Sequence, residues 1–425
     1  MAGPTILESA LRVDPDERQL PQPLVEKERI DSIDVLRGFA LLGILPMNIQ
    51  AFSMIRAAYW NPTPSGDPKT ADFYVWLFSH LLVDQKFITI FSMLFGAGIL
   101  LMTGRVEAAG KSPAALHYRR MAWLIAIGLA HSYLLWSGDI LVAYGLCGFV
   151  VFLGRHLRPR SLLALAILFI AAGSSSLLAY GMWPALQSIL GHLFTWMPRP
   201  LSPAAEIAAY RGSWFAQMSA RIQTSIQAET FSFVVLTFWQ VTGLILAGMA
   251  FLKLGVLHAK LPHRVYWSMI AVAMCIGIPV TLYGTLYTFA SDWNSLYSFA
   301  IGTQFNYWAS LLVSLGWIGA VMLASGNPAL HPFTRPLAAV GRMALTNYLM
   351  QSLICTTIFY GHGFGLFAKV ARVSQLAIVI AVWAFQLAFS SIWLKRFLFG
   401  PAEWLWRSLT YVQWEPLRRN SESAA

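Results

Sequence analysis

Long apolar runs, separated by short charged stretches, set the pattern of the chain. A bilayer-crossing helix needs about 20 mostly apolar residues. Ten such runs can be read, over residues 36–55, 86–104, 119–137, 139–154, 161–181, 230–252, 265–289, 299–324, 337–360 and 374–394. The fourth is short and follows the third after Ser137-Gly138-Asp139, which predicts a tight helical hairpin. Residues 72–85 mix apolar and polar side chains over too short a length to span, and fit the bilayer interface. The pattern predicts an all-α, polytopic integral membrane helix bundle.

Basic residues orient the bundle, because cytoplasmic loops carry the excess of Lys and Arg. With ten spans and the N-terminus inside, 22 of the 30 Lys and Arg fall on the cytoplasmic side, and every inner loop holds at least one. Both termini are then cytoplasmic. Residues 1–30 read as a cytoplasmic tail, 31–395 as the bundle and 396–425 as a cytoplasmic C-terminal segment. The tail lacks a basic n-region leading into an apolar h-region, so no signal peptide is expected. Residues 182–229 form a long outer loop rich in Trp, and such loops are usually structured or functional. Its amphipathic pieces either lie on the outer surface or cover a site from outside.

Composition narrows the classes. Hydrophobic residues make up 57% and charged residues 12%, too little polar surface for a water-soluble protein of 425 residues. Three cysteines in apolar runs form no disulfide framework. With few acidic ligands, no metal site is expected. The net charge of +11 is distributed between spans rather than on one face, so it reads as topology and not as a nucleic-acid surface.

In lipid, the polar residues inside spans carry the functional information. Arg119 and Arg120 open the third span, and His131 lies eleven residues beyond Arg120. That spacing puts the two about 20° apart around the helix and ~16 Å apart along it. Asp139 follows in the hairpin, where it either orients the imidazole or caps the next helix. The first span repeats the geometry with Arg37 and Asn48, and Asp34 sits one turn before Arg37 as a pairing partner. In the ninth span Asn347 and Gln351 share a face, either joining helices or lining a cavity. Asp84, Gln85 and Lys86 open the second span on the outer side, where such groups are usually solvated. The small residues Gly96, Ala97 and Gly98 permit close helix packing.

The stretches RIDSIDVLRGFALLGILPMNIQAFSM, KFITIFSMLFGAGILLM, HSYLLWSGDILVAYGL and VGRMALTNYLMQSLICTTIFYGHGFGLF resemble the YeiB-like membrane family, domain of unknown function family 418. The resemblance runs from about residue 29 to 412. More distantly it is similar to the membrane acyltransferase superfamily, which includes sugar O-acetyltransferases and the lysosomal heparan glucosaminide N-acetyltransferase. That resemblance implies transfer of an acyl (acetyl) group from cytoplasmic acyl-CoA to a hydroxyl or amine on the outer side. The acceptor would be a glycan, a lipid or a small molecule. It implies Arg119 and Arg120 for CoA, His131 as the intramembrane histidine and a place in the bacterial plasma (inner) membrane. Asn48 stands where those proteins often have His. Asn48, Asn347 and Gln351 are the candidate substrate or oxyanion contacts. Two other classes fit the same polar stripe: a transporter of a small molecule or lipid, and a non-catalytic assembly protein whose polar residues join helices.

Overall fold

The computed structural model describes residues 31–63, 70–194, 201–294 and 296–419. The predicted tail of residues 1–30 lies outside the described residues. Among those described there are helices and no strands beyond one isolated bridge between Phe397 and Arg418. Each of the ten apolar runs lies in helix.

The first helices are α1 (Asp31–Ser53), α2 (Ala71–Leu82), α3 (Lys86–Ala108), α4 (Ala114–Leu134), α5 (Leu141–Val151) and α6 (Pro159–Met182). Next come α7 (Pro184–Leu193), α8 (Pro203–Arg211), α9 (Trp214–Gln227) and α10 (Phe238–Lys253). The rest are α11 (His263–Val272), α12 (Ile278–Ala290), α13 (Thr303–Ser325), α14 (His331–Arg342), α15 (Ala344–Phe359), α16 (Arg372–Arg396) and α17 (Pro401–Tyr411). Seven helical runs among the described residues are long and apolar enough to cross a membrane. The third predicted span, α4, carries His117, Arg119, Arg120 and His131 and is not among the seven. The fourth and ninth fold as shorter helices. The ninth is broken at Met343 into α14 and α15.

Helix α1 is apolar on nearly every side and is correspondingly the most enclosed, packed among α3, α13, α14, α15 and α16. Its contact with α14 is unusually close. A Cβ on Gly38 would lie 1.9 Å from the Leu337 carbonyl oxygen, and one on Gly341 would lie 1.9 Å from that of Asp34. The two backbones touch only because both positions lack a side chain. Helices α3 and α10 repeat this with Gly96 and Gly248. Gly98, by contrast, has open space beside it. Helices α6 and α16 turn apolar side chains such as Ile167, Leu168, Ile380 and Ile392 outward, where lipid would cover them.

The described residues of 182–229 are mostly helical rather than a loop. Helix α9 runs through wider, π-type turns at Ala228–Thr237 into α10, so one helical run covers Trp214–Lys253. Its lower part caps the end of α4. Arg221, 1% exposed, donates to the Leu134 carbonyl at 3.0 Å, and Trp214 Nε1 donates to the same oxygen at 3.0 Å. The C-terminal segment also folds back: α17 packs on α4, where Trp406 Nε1 donates to the Arg120 carbonyl at 3.0 Å.

Candidate active site

A cavity of about 620 Å³ runs along one stripe of α1, from Asp34 and Arg37 through Leu41, Ile44 and Met47 to Asn48. Helix α3 forms the facing wall from Gln85 to Arg105. At 1.5 Å per residue the α3 wall alone is ~30 Å long. Its ends differ in chemistry, and the middle is apolar, with Phe91, Leu94, Phe95 and Leu124.

Arg37, Arg105, Arg120, Arg342 and Arg407 line one end. Arg37 pairs with Asp34 at 2.6 Å, as the sequence spacing suggests. The Arg120 guanidinium lies 4.1 Å from the Trp406 ring centroid, and that of Arg407 lies 4.2 Å from the Phe399 ring. Glu403 also faces this end, but its carboxylate accepts from the Leu345 and Thr346 backbone N–H groups and from Thr346 Oγ1, capping α15. Burial pushes the Glu403 carboxyl up from its ordinary range, against those hydrogen bonds. Five guanidinium groups gather at this end, and guanidinium is the chemistry that recognises phosphates. Arg119 is not in this wall; its Nε donates to the Thr410 carbonyl and fastens α17. Arg120 lines this end together with four arginines from other helices, while Arg119 lies outside it. They converge only in three dimensions.

At the far end, the Ser137-Gly138-Asp139 hairpin and Tyr348 line the cavity. Behind them His131 Nδ1 lies 2.8 Å from Asp139 Oδ1, with both side chains almost fully buried. The carboxylate can only accept, so Nδ1 carries the proton, and in the neutral imidazole Nε2 presents its lone pair. Ser352 Oγ sits 2.8 Å from that Nε2. Asp139 Oδ2 meanwhile accepts from the Val142 N–H at 2.9 Å, capping α5. Both sequence readings of Asp139, ring partner and cap, hold at once. Ser352 was missed because a serine four residues from a tyrosine on an apolar helix carries no signal until its neighbour across the bundle is known.

The structure separates the remaining amides. Asn48 lines the cavity. Asn347 donates to Ser390 Oγ at 2.9 Å, and Gln351 donates to Gln386 Oε1 at 3.0 Å. Both bond to α16, and neither lines this cavity, so here they join helices.

One correction concerns Lys86. It is fully buried, not solvated. Its Nζ donates to the His80 carbonyl at 2.7 Å and to Asn306 Oδ1. Asn306 Nδ2 in turn donates to Asp84 Oδ2 at 2.9 Å, and His80 Nδ1 lies 3.2 Å from that oxygen. Asp84, Gln85 and Tyr59 belong both to the main cavity and to a neighbouring one of about 240 Å³. Among the described residues no group of three or more His, Cys, Asp or Glu side chains is placed to hold a metal.

Comparison with known proteins gives relatives over nearly the whole length. A family model for proteins of unknown function (DUF418) matches residues 251–413. The chain is 34% identical to the Escherichia coli K12 protein described as uncharacterized protein YeiB, over 90% of this chain and 96% of YeiB. It is 32% identical to uncharacterized protein YxaH of Bacillus subtilis 168, over 94% and 99% of the two chains. An uncharacterized 39.9 kDa protein of Bacillus acidopullulyticus is 26% identical over 94% of this chain and 99% of its own.

Proposed function

The chain belongs to the DUF418 family of YeiB-like proteins, and from that premise we propose that it is a membrane acyltransferase moving an acyl group from acyl-CoA to a hydroxyl or amine. One observation carries the reading: a single cavity has a five-arginine end and, some three turns along α4, ends at the hairpin that holds the buried His131–Asp139 pair.

The donor enters by the arginine end, the cytoplasmic one by the distribution of basic residues. Its phosphates meet Arg37, Arg105, Arg120, Arg342 and Arg407 through charge-assisted hydrogen bonds. The pantetheine arm, thin and mostly apolar, follows the wall of Leu41, Phe91, Leu94 and Phe95. The ~16 Å from Arg120 to His131 matches the reach of that arm. His131 is the general base, with Asp139 fixing its tautomer and stabilising the imidazolium that forms. Asn48 lines the wall and is the candidate donor to a developing oxyanion. The acceptor reaches the histidine end from the opposite side of the membrane.

Purified protein supplied with radiolabelled acetyl-CoA and a mixed pool of alcohols and amines tests this. His131→Ala should lower label transfer by roughly 10²–10⁴-fold, with CoA affinity by calorimetry unchanged. Failure of the wild type to bind CoA at millimolar concentration, or wild-type transfer by His131→Ala, removes the reading.

A further inference from the structure

We propose that Ser352 is the nucleophile, carrying the acyl group as an ester between donor and acceptor. The inference rests on the acyltransfer reading and deepens it.

Buried hydroxyls on helices have a default partner, the carbonyl one turn back. Ser92, Thr103, Ser314, Thr281 and Thr285 follow it, each donating to the i−4 carbonyl at 2.6–3.0 Å. Ser352 instead directs its Oγ across the bundle to His131 Nε2 at 2.8 Å. The tautomer is set from the other side of the ring, since Nδ1 must donate to the Asp139 carboxylate at 2.8 Å. Nε2 is then an acceptor and the serine hydroxyl its donor. A serine hydrogen-bonded to a base, with the base oriented by a buried carboxylate, is the general arrangement of an activated nucleophile. The three residues come from α15, α4 and the hairpin after it, so the arrangement is a tertiary one.

The position suits an acyl donor arriving along the cavity. Tyr348, one turn before Ser352 on the same helix, lines the cavity, and its ring centroid lies 5.0 Å from that of His131. Ser352 itself is 1% exposed and does not line the cavity. The acyl group therefore passes the Tyr348 ring to reach it. Burial also keeps water from the ester until an acceptor arrives.

The steps balance. Ser352 Oγ gives its proton to His131 Nε2 and bonds to the thioester carbonyl carbon. The C–S bond breaks, and the departing CoA thiolate takes the proton from His131. The acceptor then gives its proton to Nε2 and attacks the ester carbonyl. The bond to Oγ breaks, and Ser352 recovers the proton as the acyl product leaves.

The test separates this from the parent reading. Wild-type protein is incubated with radiolabelled acetyl-CoA and no acceptor, then denatured and digested. The label should stay on the peptide that contains Ser352. Ser352→Ala should retain no label and transfer at least about a hundredfold more slowly, with CoA affinity unchanged. The Ser352→Ala/His131→Ala double variant should be no slower than either single one, because residues acting as a unit are non-additive. Ser352→Cys, close to isosteric, should trap a hydroxylamine-sensitive thioester and guards against a folding defect in the alanine variant. Wild-type transfer by Ser352→Ala overturns the serine nucleophile while leaving His131 as a base, and label on His131 overturns it by making the histidine the nucleophile. Loss of CoA binding in the wild type overturns the acyltransfer reading itself.

Discussion

The two ends of the cavity handle buried charge in opposite ways. Where the Asp84-Gln85-Lys86 turn meets α13, one carboxylate and one ammonium are bridged by a neutral amide, Asn306, which accepts from Lys86 and donates to Asp84. The charges cancel within the protein. At the other end five arginines face the cavity with Asp34 already paired to Arg37 and Glu403 holding the start of α15. Arginines outnumber carboxylates among the described side chains that line that end. A cluster that neutralises itself meets the needs of the fold, since an isolated buried ion is far more costly than a paired one. A cavity end lined mainly by one sign of charge favours a ligand of the other.

Substitutions can break this contrast. The largest effect is expected from Lys86→Ala, which leaves Asp84 buried without its ammonium and should cost about 3–5 kcal/mol. The loss should appear in thermal unfolding of the purified protein, and Lys86→Met with Asp84→Leu should recover most of it. A Lys86→Ala protein as stable as wild type would mean that this end is not self-neutralised. Arg120→Ala combined with Arg407→Ala should weaken CoA binding by roughly 10²–10⁴-fold, at about 1.5–3 kcal/mol for each lost charged hydrogen bond. Thermal stability should hold or rise, because Arg120 lies within electrostatic reach of Arg37 and Arg407 and loses that repulsion. A double variant that unfolds easily would place the arginines with the fold rather than the ligand. Raising salt should weaken CoA binding to the wild type and leave Lys86-dependent stability largely unchanged, since exposed charges are screened and buried ones are not. The smallest effect is expected from Arg119→Ala. Its guanidinium is fastened to the Thr410 carbonyl and lies off the cavity wall, so CoA affinity should change by less than about twofold.

The comparison also shows which polar residues were legible. His131 and Asp139 stand eight apart in sequence, joined by a hairpin that the short fourth run announces, so their pairing could be anticipated from spacing. Asp34 and Arg37 are one turn apart and pair as helical neighbours do. Lys86 and Asn306 are 220 residues apart, and nothing local distinguishes a buried lysine at a helix start from a solvated one. Asn347 and Gln351 were correctly placed on one face, but which helix that face meets was open until α16 was in position.

The sequence by itself determined the all-α membrane class and the location of every apolar run. It also determined the close approach permitted by Gly96 and the local His131–Asp139 pair. These depend on hydropathy, side-chain size and helical period, which act over a few residues. Tertiary structure alone decided that Arg407 joins Arg37 and Arg120, that Arg119 does not, and that Ser352 meets His131. Those contacts lie between helices distant in sequence. In a bundle the rotation of each helix, not its composition, sets which polar side chain faces which.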